Sequence, residues 1–323
     1  MQQLKPLRPP TTSLVLSATL LLPLAAGAVT NVPPTTITHR FLLEDESRAQ
    51  LLYVDQREPA KNWAIKFPDR YRDYQLIGGN KVMLSTGAGY REYSLDTKQM
   101  TKEVNGFAAI TFARRRADGS TVIGGNADGI TVLELGPDDQ VRRKANFKLN
   151  QVRLGRLTPQ GTVLFGSDNK LVEANLDGQV LKEYTVESCQ HLYQALRTAA
   201  GHLLAATGYG ASLVELDADG KVVRRFGGKD APEARDLGYN FFAGFQVLKN
   251  GNIVVSNWTG HGAQDSVKGV QLVEFDPAGK VGWTWHDPAL AGSIHGVIVL
   301  DDVDCSVLND DASSVLGAAG SLR

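Results

Sequence analysis

The sequence predicts an all-β fold, a six-bladed β-propeller of four-stranded blades. Three observations carry that reading: a glycine that recurs at about 40 residues, a glutamate that recurs at the same period, and strand-like segments at the two ends that complete one another. The glycine stands at Gly79, Gly119, Gly161, Gly201 and Gly251, in GGNKVML, ADGSTVI, PQGTVLF, AAGHLLA and KNGNIVV, at spacings of 40, 42, 40 and 50. The glutamate stands at Glu92, Glu134, Glu173, Glu215 and Glu274, at spacings of 42, 39, 42 and 59.

Each unit therefore contains two hairpins, four short strands separated by turn residues. Apolar runs of four to seven residues, or strict alternation, exclude the 3.6-residue pattern of a helical solenoid. Five full blades are expected at about 69–104, 107–146, 151–186, 190–226 and 240–286. HRFLLED, QLLYVD and NWAIKF near the N-terminus then combine with HGVIVLD (295–301) into a sixth blade. Pairing N-terminal strands with a C-terminal strand closes the ring and removes the exposed edges of an open array. Five or seven blades stay open as alternatives.

Composition agrees with a large globular core: 323 residues, 42% hydrophobic and 21% charged, with 33 glycines. Residues 1–28 read as a secretory signal peptide. Lys5 and Arg8 form its positive start, Leu14 to Ala25 its apolar run and Ala26-Gly27-Ala28 its small-residue cleavage site. A secreted or periplasmic propeller over 29–307 is expected, with 308–323 an extended or poorly ordered tail. No transmembrane segment is expected in the mature chain, and a monomer is expected. Loss of Lys5 and Arg8 leaves 32 basic against 35 acidic residues, a formal charge of −3, so nucleic acid is not an expected partner. Asn257-Trp258-Thr259 formally matches a glycosylation acceptor.

The segments LVELDADGKVV, FQVLKNGNIVVSNW and LVEFDPAGKVGWTW resemble repeats of secreted bacterial propellers of the pyrroloquinoline-quinone-like and arylsulfotransferase-like type. The resemblance covers about 69–300. It implies fold and compartment, not a catalytic motif.

Blades compared with one another separate scaffold from site. A residue that recurs at one blade position is scaffold, so the five glutamates are read as structural. In a propeller the innermost strand starts at one face, and the loop between second and third strands returns to it. Alignment through the hairpin glycines puts Tyr71, Val152, His191, Ala243 and His295 at equivalent starts. The longest returning loop, SNWTGHGAQDSVKG (256–269), carries Trp258, His261, Asp265 and Lys268. His191, His261 and His295 are thus expected over the channel mouth, with Tyr71, Arg72, Arg153 and Tyr209 beside them. The insertion 227–240 reads either as a lid or as a solvated loop.

In that arrangement a histidine supplies a base near neutral pH, Tyr71 an acid, and Arg72 or Arg153 a grip on a carboxylate or sulfate. Trp258 and Tyr209 offer faces for a sugar ring, and Asp265 a further substrate contact. Three imidazoles from three blades also offer a divalent transition metal a site. The leading reading is an enzyme acting on a saccharide or polyol by elimination or hydrolysis. A non-catalytic propeller that binds a protein or glycan, and a quinone- or metal-binding redox protein, are the competing readings. Cys189 and Cys305 fall on opposite faces and are expected to be free thiols.

Overall fold

The computed structural model describes residues 36–311, apart from 188 and 263; the expected signal peptide and the far part of the tail lie outside them. The chain forms six four-stranded antiparallel sheets arranged as a propeller. Blade 1 uses Tyr74–Gly78, Lys81–Thr86, Gly89–Ser94 and Met100–Val104. Blades 2 to 5 repeat this order, beginning at Ile110–Arg115, Gly155–Leu157, Ala195–Arg197 and Phe241–Val247. Blade 6 is composite: Ile294–Val299 is its innermost strand and Arg40–Asp45, Gln50–Asp55 and Trp63–Lys66 complete it. Leu43 pairs with Val297 there, so residues from both ends of the described chain share one sheet.

The apolar residues of the strands meet between blades. Phe112, Val122 and Val132 of blade 2 pack on Val163, Phe165 and Val172 of blade 3, and five comparable clusters join the other neighbours. Burying such side chains stabilises by roughly 1.5–3 kcal/mol each. Outer strands face water, as in Val180–Thr185, where most residues are exposed.

Innermost strands of neighbouring blades splay around the channel, and glutamines bridge the gap. Gln75 accepts from the Arg115 amide at 2.6 Å and donates to its carbonyl at 3.1 Å. Gln194 grips both backbone groups of Phe245, and Gln246 those of Val299, in the same way. These pairings satisfy backbone groups that no ladder reaches. The recurrent glutamates are likewise held: Glu92 by Arg115, Glu134 by Arg116 and Arg143, Glu173 by Arg197, Glu215 by His202 and Arg224, and Glu274 by His39 and Asn252. Cys189 and Cys305 are free thiols.

The far end of the channel is occupied by the chain itself. Leu308, where the tail was expected to begin, bridges Ile77, and Asn309 accepts from Gln75 and donates to the Leu76 carbonyl. Asp311 accepts from Arg114 and from the Leu157 amide. Among the described residues, no helix is long and apolar enough to cross a membrane.

Candidate functional site

At the opposite end of the channel, His295 is the second residue of Ile294–Val299 and is 4% exposed. Its imidazole lies between two aromatic rings. Tyr193 stacks on one side at 5.3 Å and 20°, Trp258 on the other at 5.5 Å and 9°. Tyr193 stands just before the innermost strand of blade 4, and Trp258 ends Ile253–Trp258 of blade 5. Gly244 of blade 5 admits the arrangement, because a Cβ there would come within 2.7 Å of the His295 carbonyl oxygen.

Two carboxyl groups from blade 6 complete the cluster. Glu44 Oε2 accepts from the His295 amide at 3.1 Å and lies 3.6 Å from Nδ1 of the same residue. Glu46 Oε2 accepts from Trp258 Nε1 at 2.9 Å and is 3.8 Å from His295 Nδ1. Glu46 also pairs with His261 Nδ1 at 3.1 Å and with Arg70 at 3.4 Å. His261 sits edge-on to Trp258 at 4.7 Å.

Burial governs the protonation of these groups. Burial, and then the charge of Glu46, pushes Glu44 well above the usual carboxylate range. Burial, and then the cations Arg72 and Arg153, pushes His295 well below the usual histidine range. Burial and Glu44 raise the Tyr193 phenol. Burial thus favours the uncharged form of the His295 imidazole, the Glu44 carboxyl and the Tyr193 phenol.

Three buried atoms there lack a hydrogen-bond partner among the described residues: His295 Nδ1, the Tyr193 hydroxyl and Glu44 Oε1. The Tyr193 hydroxyl lies near Arg72 but outside hydrogen-bond geometry. Each such atom costs about 1–3 kcal/mol if nothing else satisfies it. Arg72 and Arg153 enter from the starts of blades 1 and 3. Arg72 borders both the internal channel cavity, of about 70 Å³, and a mouth depression of about 190 Å³ that Glu46, Arg70, Tyr71 and Ser85 also line.

His261, His295, Trp258, Arg72 and Arg153 thus gather at one rim, and other expected site residues take different places. His191 lies four residues before Ala195–Arg197 with φ +62°, and its Nδ1 faces the Gln151 side-chain amide at 2.8 Å. It is not at the strand position of His295, because innermost strands run from three residues in blade 4 to seven in blade 5, and glycine alignment ignores that difference. Tyr71 is 4% exposed, packs on Phe67 and Tyr74, and donates its hydroxyl to the Gln50 carbonyl. Tyr193, not Tyr71, is the phenol against the imidazole. Tyr209 packs edge-on to His191 and Phe241 and reaches Trp258 at 6.4 Å. Asp265 is engaged within its own loop, by the Gly262 amide at 2.9 Å and Lys268 at 2.6 Å.

The insertion 227–240 is folded onto blade 5. Ala234, Leu237 and Tyr239 join its core, and Leu237 accepts from the Val270 amide. Asn257 is fully buried, accepts from the Asn240 amide and donates to the Gly238 and Val270 carbonyls, which leaves no room for a glycan. Glu44, Glu46 and Tyr193 escaped the sequence reading. The turn after Arg40–Asp45 is the returning loop of blade 6, so blade geometry applied to the composite blade would have found the two glutamates.

Among the described residues, no group of three or more His, Cys, Asp or Glu side chains is arranged to hold a metal ion. The three imidazoles do not fit a single cage: Gln151 engages His191, Glu46 engages His261, and aromatic rings flank His295.

No family model and no curated protein matches the chain. Solved structures share its fold. A Bacteroides caccae protein of unknown function superposes with a TM-score of 0.69 at 19% identity, over 82% of this chain and 100% of that one. A streptogramin B lyase gives 0.55 at 12% identity, over 84% and 89%. A catalytically inactive histidine-to-alanine variant of Staphylococcus aureus virginiamycin B lyase, with quinupristin, gives 0.52 at 8% identity, over 80% and 87%. At these identities the likeness is one of fold: the chain is a six-bladed β-propeller, with lyases among its structural neighbours.

Proposed function

We propose that the protein is a secreted or periplasmic enzyme that acts on a saccharide or polyol at the channel mouth by acid–base elimination, with His295 as base and Tyr193 as acid. The observation that carries this reading is the set of three unpartnered buried atoms, His295 Nδ1, Tyr193 Oη and Glu44 Oε1, at one rim. A scaffold has no use for them, whereas a bound substrate would satisfy them. A neutral imidazole accepts a proton, and a protonated phenol donates one to a departing oxygen. Trp258 holds the base in place by stacking and is itself fixed by Glu46. Elimination is preferred to hydrolysis because neither reacting group has to activate water. The lyases among the structural neighbours, one of them described as inactivated by loss of a histidine, support the same reaction class. A non-catalytic binding propeller would not need titratable groups to converge in this way.

The test is Tyr193→Phe, assayed on a panel of oligosaccharides with products weighed by mass spectrometry. Products of elimination are one water lighter than those of hydrolysis. The Tyr193 hydroxyl has no hydrogen-bond partner within geometric limits among the described residues, so melting should change little while turnover falls about 10²- to 10⁴-fold. Full activity in Tyr193→Phe would refute the assignment of the acid.

A further inference from the structure

The propeller's central region contains four arginines that are treated in two ways. Arg114 is paired with Asp73 at 3.4 Å and with Asp311, and Arg156 with Asp73 at 3.0 Å. The fold supplies carboxylates where a buried cation is structural. Arg72 and Arg153, at the mouth, have no carboxylate within 4.0 Å among the described residues. Burial and the neighbouring charge of Arg72 press Arg153 below the usual arginine value, as expected of a buried cation that lacks a counter-ion, whereas Tyr193, Glu44 and Glu46 outweigh burial at Arg72 and hold it above that value. Both lie close enough to His295 to depress its proton affinity, so the missing anion belongs beside the base.

We propose that the substrate carries a carboxylate, gripped by Arg72 and Arg153, next to the carbon whose proton His295 removes. The proposal rests on the elimination reading above and names its substrate class: a uronate or a related sugar acid. A carboxylate is preferred to a sulfate for two reasons. Its two coplanar oxygens match the planar guanidinium fork, and it delocalises charge from the adjacent carbon whereas a sulfate ester on a neighbouring oxygen does not. In the step itself, His295 takes the proton on the carbon α to the carboxylate, and the C–H electron pair becomes the new C=C bond. The C–O bond at the β carbon breaks, and its oxygen receives the Tyr193 proton. Exchange with water then returns the His295 proton to solvent and reprotonates Tyr193. An unsaturated acid and an alcohol result, with no net oxidation. Arg72 and Arg153 stabilise the charge that grows on the carboxylate as the C–H bond breaks.

Calorimetric titration with glucuronate, its methyl ester and glucose tests the grip directly. Glucuronate is expected to bind the wild type at least about tenfold more tightly than the ester or glucose. Arg72→Gln and Arg153→Gln should each lose about tenfold or more for glucuronate, and Arg153→Lys less, because it keeps the charge but not the fork. Melting curves separate loss of fold from loss of grip. Equal affinity for acid and ester, unchanged binding in both glutamine variants, or no binding of glucuronate would overturn the proposal. Turnover of neutral sugars with no preference for acids would overturn it while leaving the elimination reading intact. Arginine-dependent binding of the acid without turnover of any sugar would uphold the grip and count against the enzyme.

Discussion

At the scale of single residues, the site is governed by a histidine whose proton affinity burial lowers. His295 is surrounded by aromatic rings and by Arg72 and Arg153, so its neutral form is favoured. Activity that depends on this base should survive below the ordinary histidine value of about 6.5, where a free imidazole would already be protonated. Arg153→Gln removes one of the cations that depress it, so the acidic limb of kcat/KM should move up towards that value. An acidic limb at about 6.5 in the wild type would count against His295 as the base. The rim positions of His295, His261, Trp258, Arg72 and Arg153 were legible because propeller geometry alone sends strand starts and returning loops to one face. The partners of His295 were not. Tyr193 reaches it from a blade whose innermost strand is only three residues long, and Glu44 and Glu46 belong to a blade with no hairpin glycine to align.

At the scale of elements, ring closure depends on more than the pairing of Leu43 with Val297. His39, just before the first strand, bonds Glu274 of blade 5 at 2.9 Å and Asp301, which follows the closing strand, at 2.6 Å. Burial alone would lower its proton affinity, but the two carboxylates outweigh burial and the net shift is upward. Because the folded value lies above the unfolded one, the stabilisation is complete below the ordinary histidine value and is lost as pH rises through the folded value. His39→Gln should therefore cost about 3 kcal/mol or more near pH 6. The gap between variant and wild type in melting temperature should narrow as the pH is raised into the alkaline range. A gap independent of pH would mean that His39 acts through packing on Trp283, which it meets edge-on at 4.7 Å, and not through charge. The blades themselves were legible because turn glycines and third-strand glutamates repeat with the fold's own period. Links such as His39 to Glu274 occur once and leave no periodic trace.

At the scale of the whole molecule, the chain itself fills one end of the channel. Asn309 and Asp311 occupy its far end, and Asp311 shares with Asp73 the task of neutralising Arg114 and Arg156. Composition predicts an extended or poorly ordered tail over 308–323, because Asn and Asp read as solvated residues until the arginines that receive them are known. Truncation after Leu308 should leave two buried guanidinium groups to share Asp73 alone, and an uncompensated buried charge of this kind costs about 3–5 kcal/mol. The truncated protein should melt at a lower temperature. Adding Arg114→Met, which removes the orphaned charge and keeps an apolar stem, should recover part of the loss. The mouth cluster contains none of these residues, so acid binding at Arg72 and Arg153 should persist in the doubly altered protein. If truncation leaves the melting temperature unchanged, Asp311 carries no stabilising charge. If instead truncation abolishes acid binding while the fold survives, the two ends of the channel are coupled, with Arg72, which borders the internal cavity as well as the mouth, as the connecting residue.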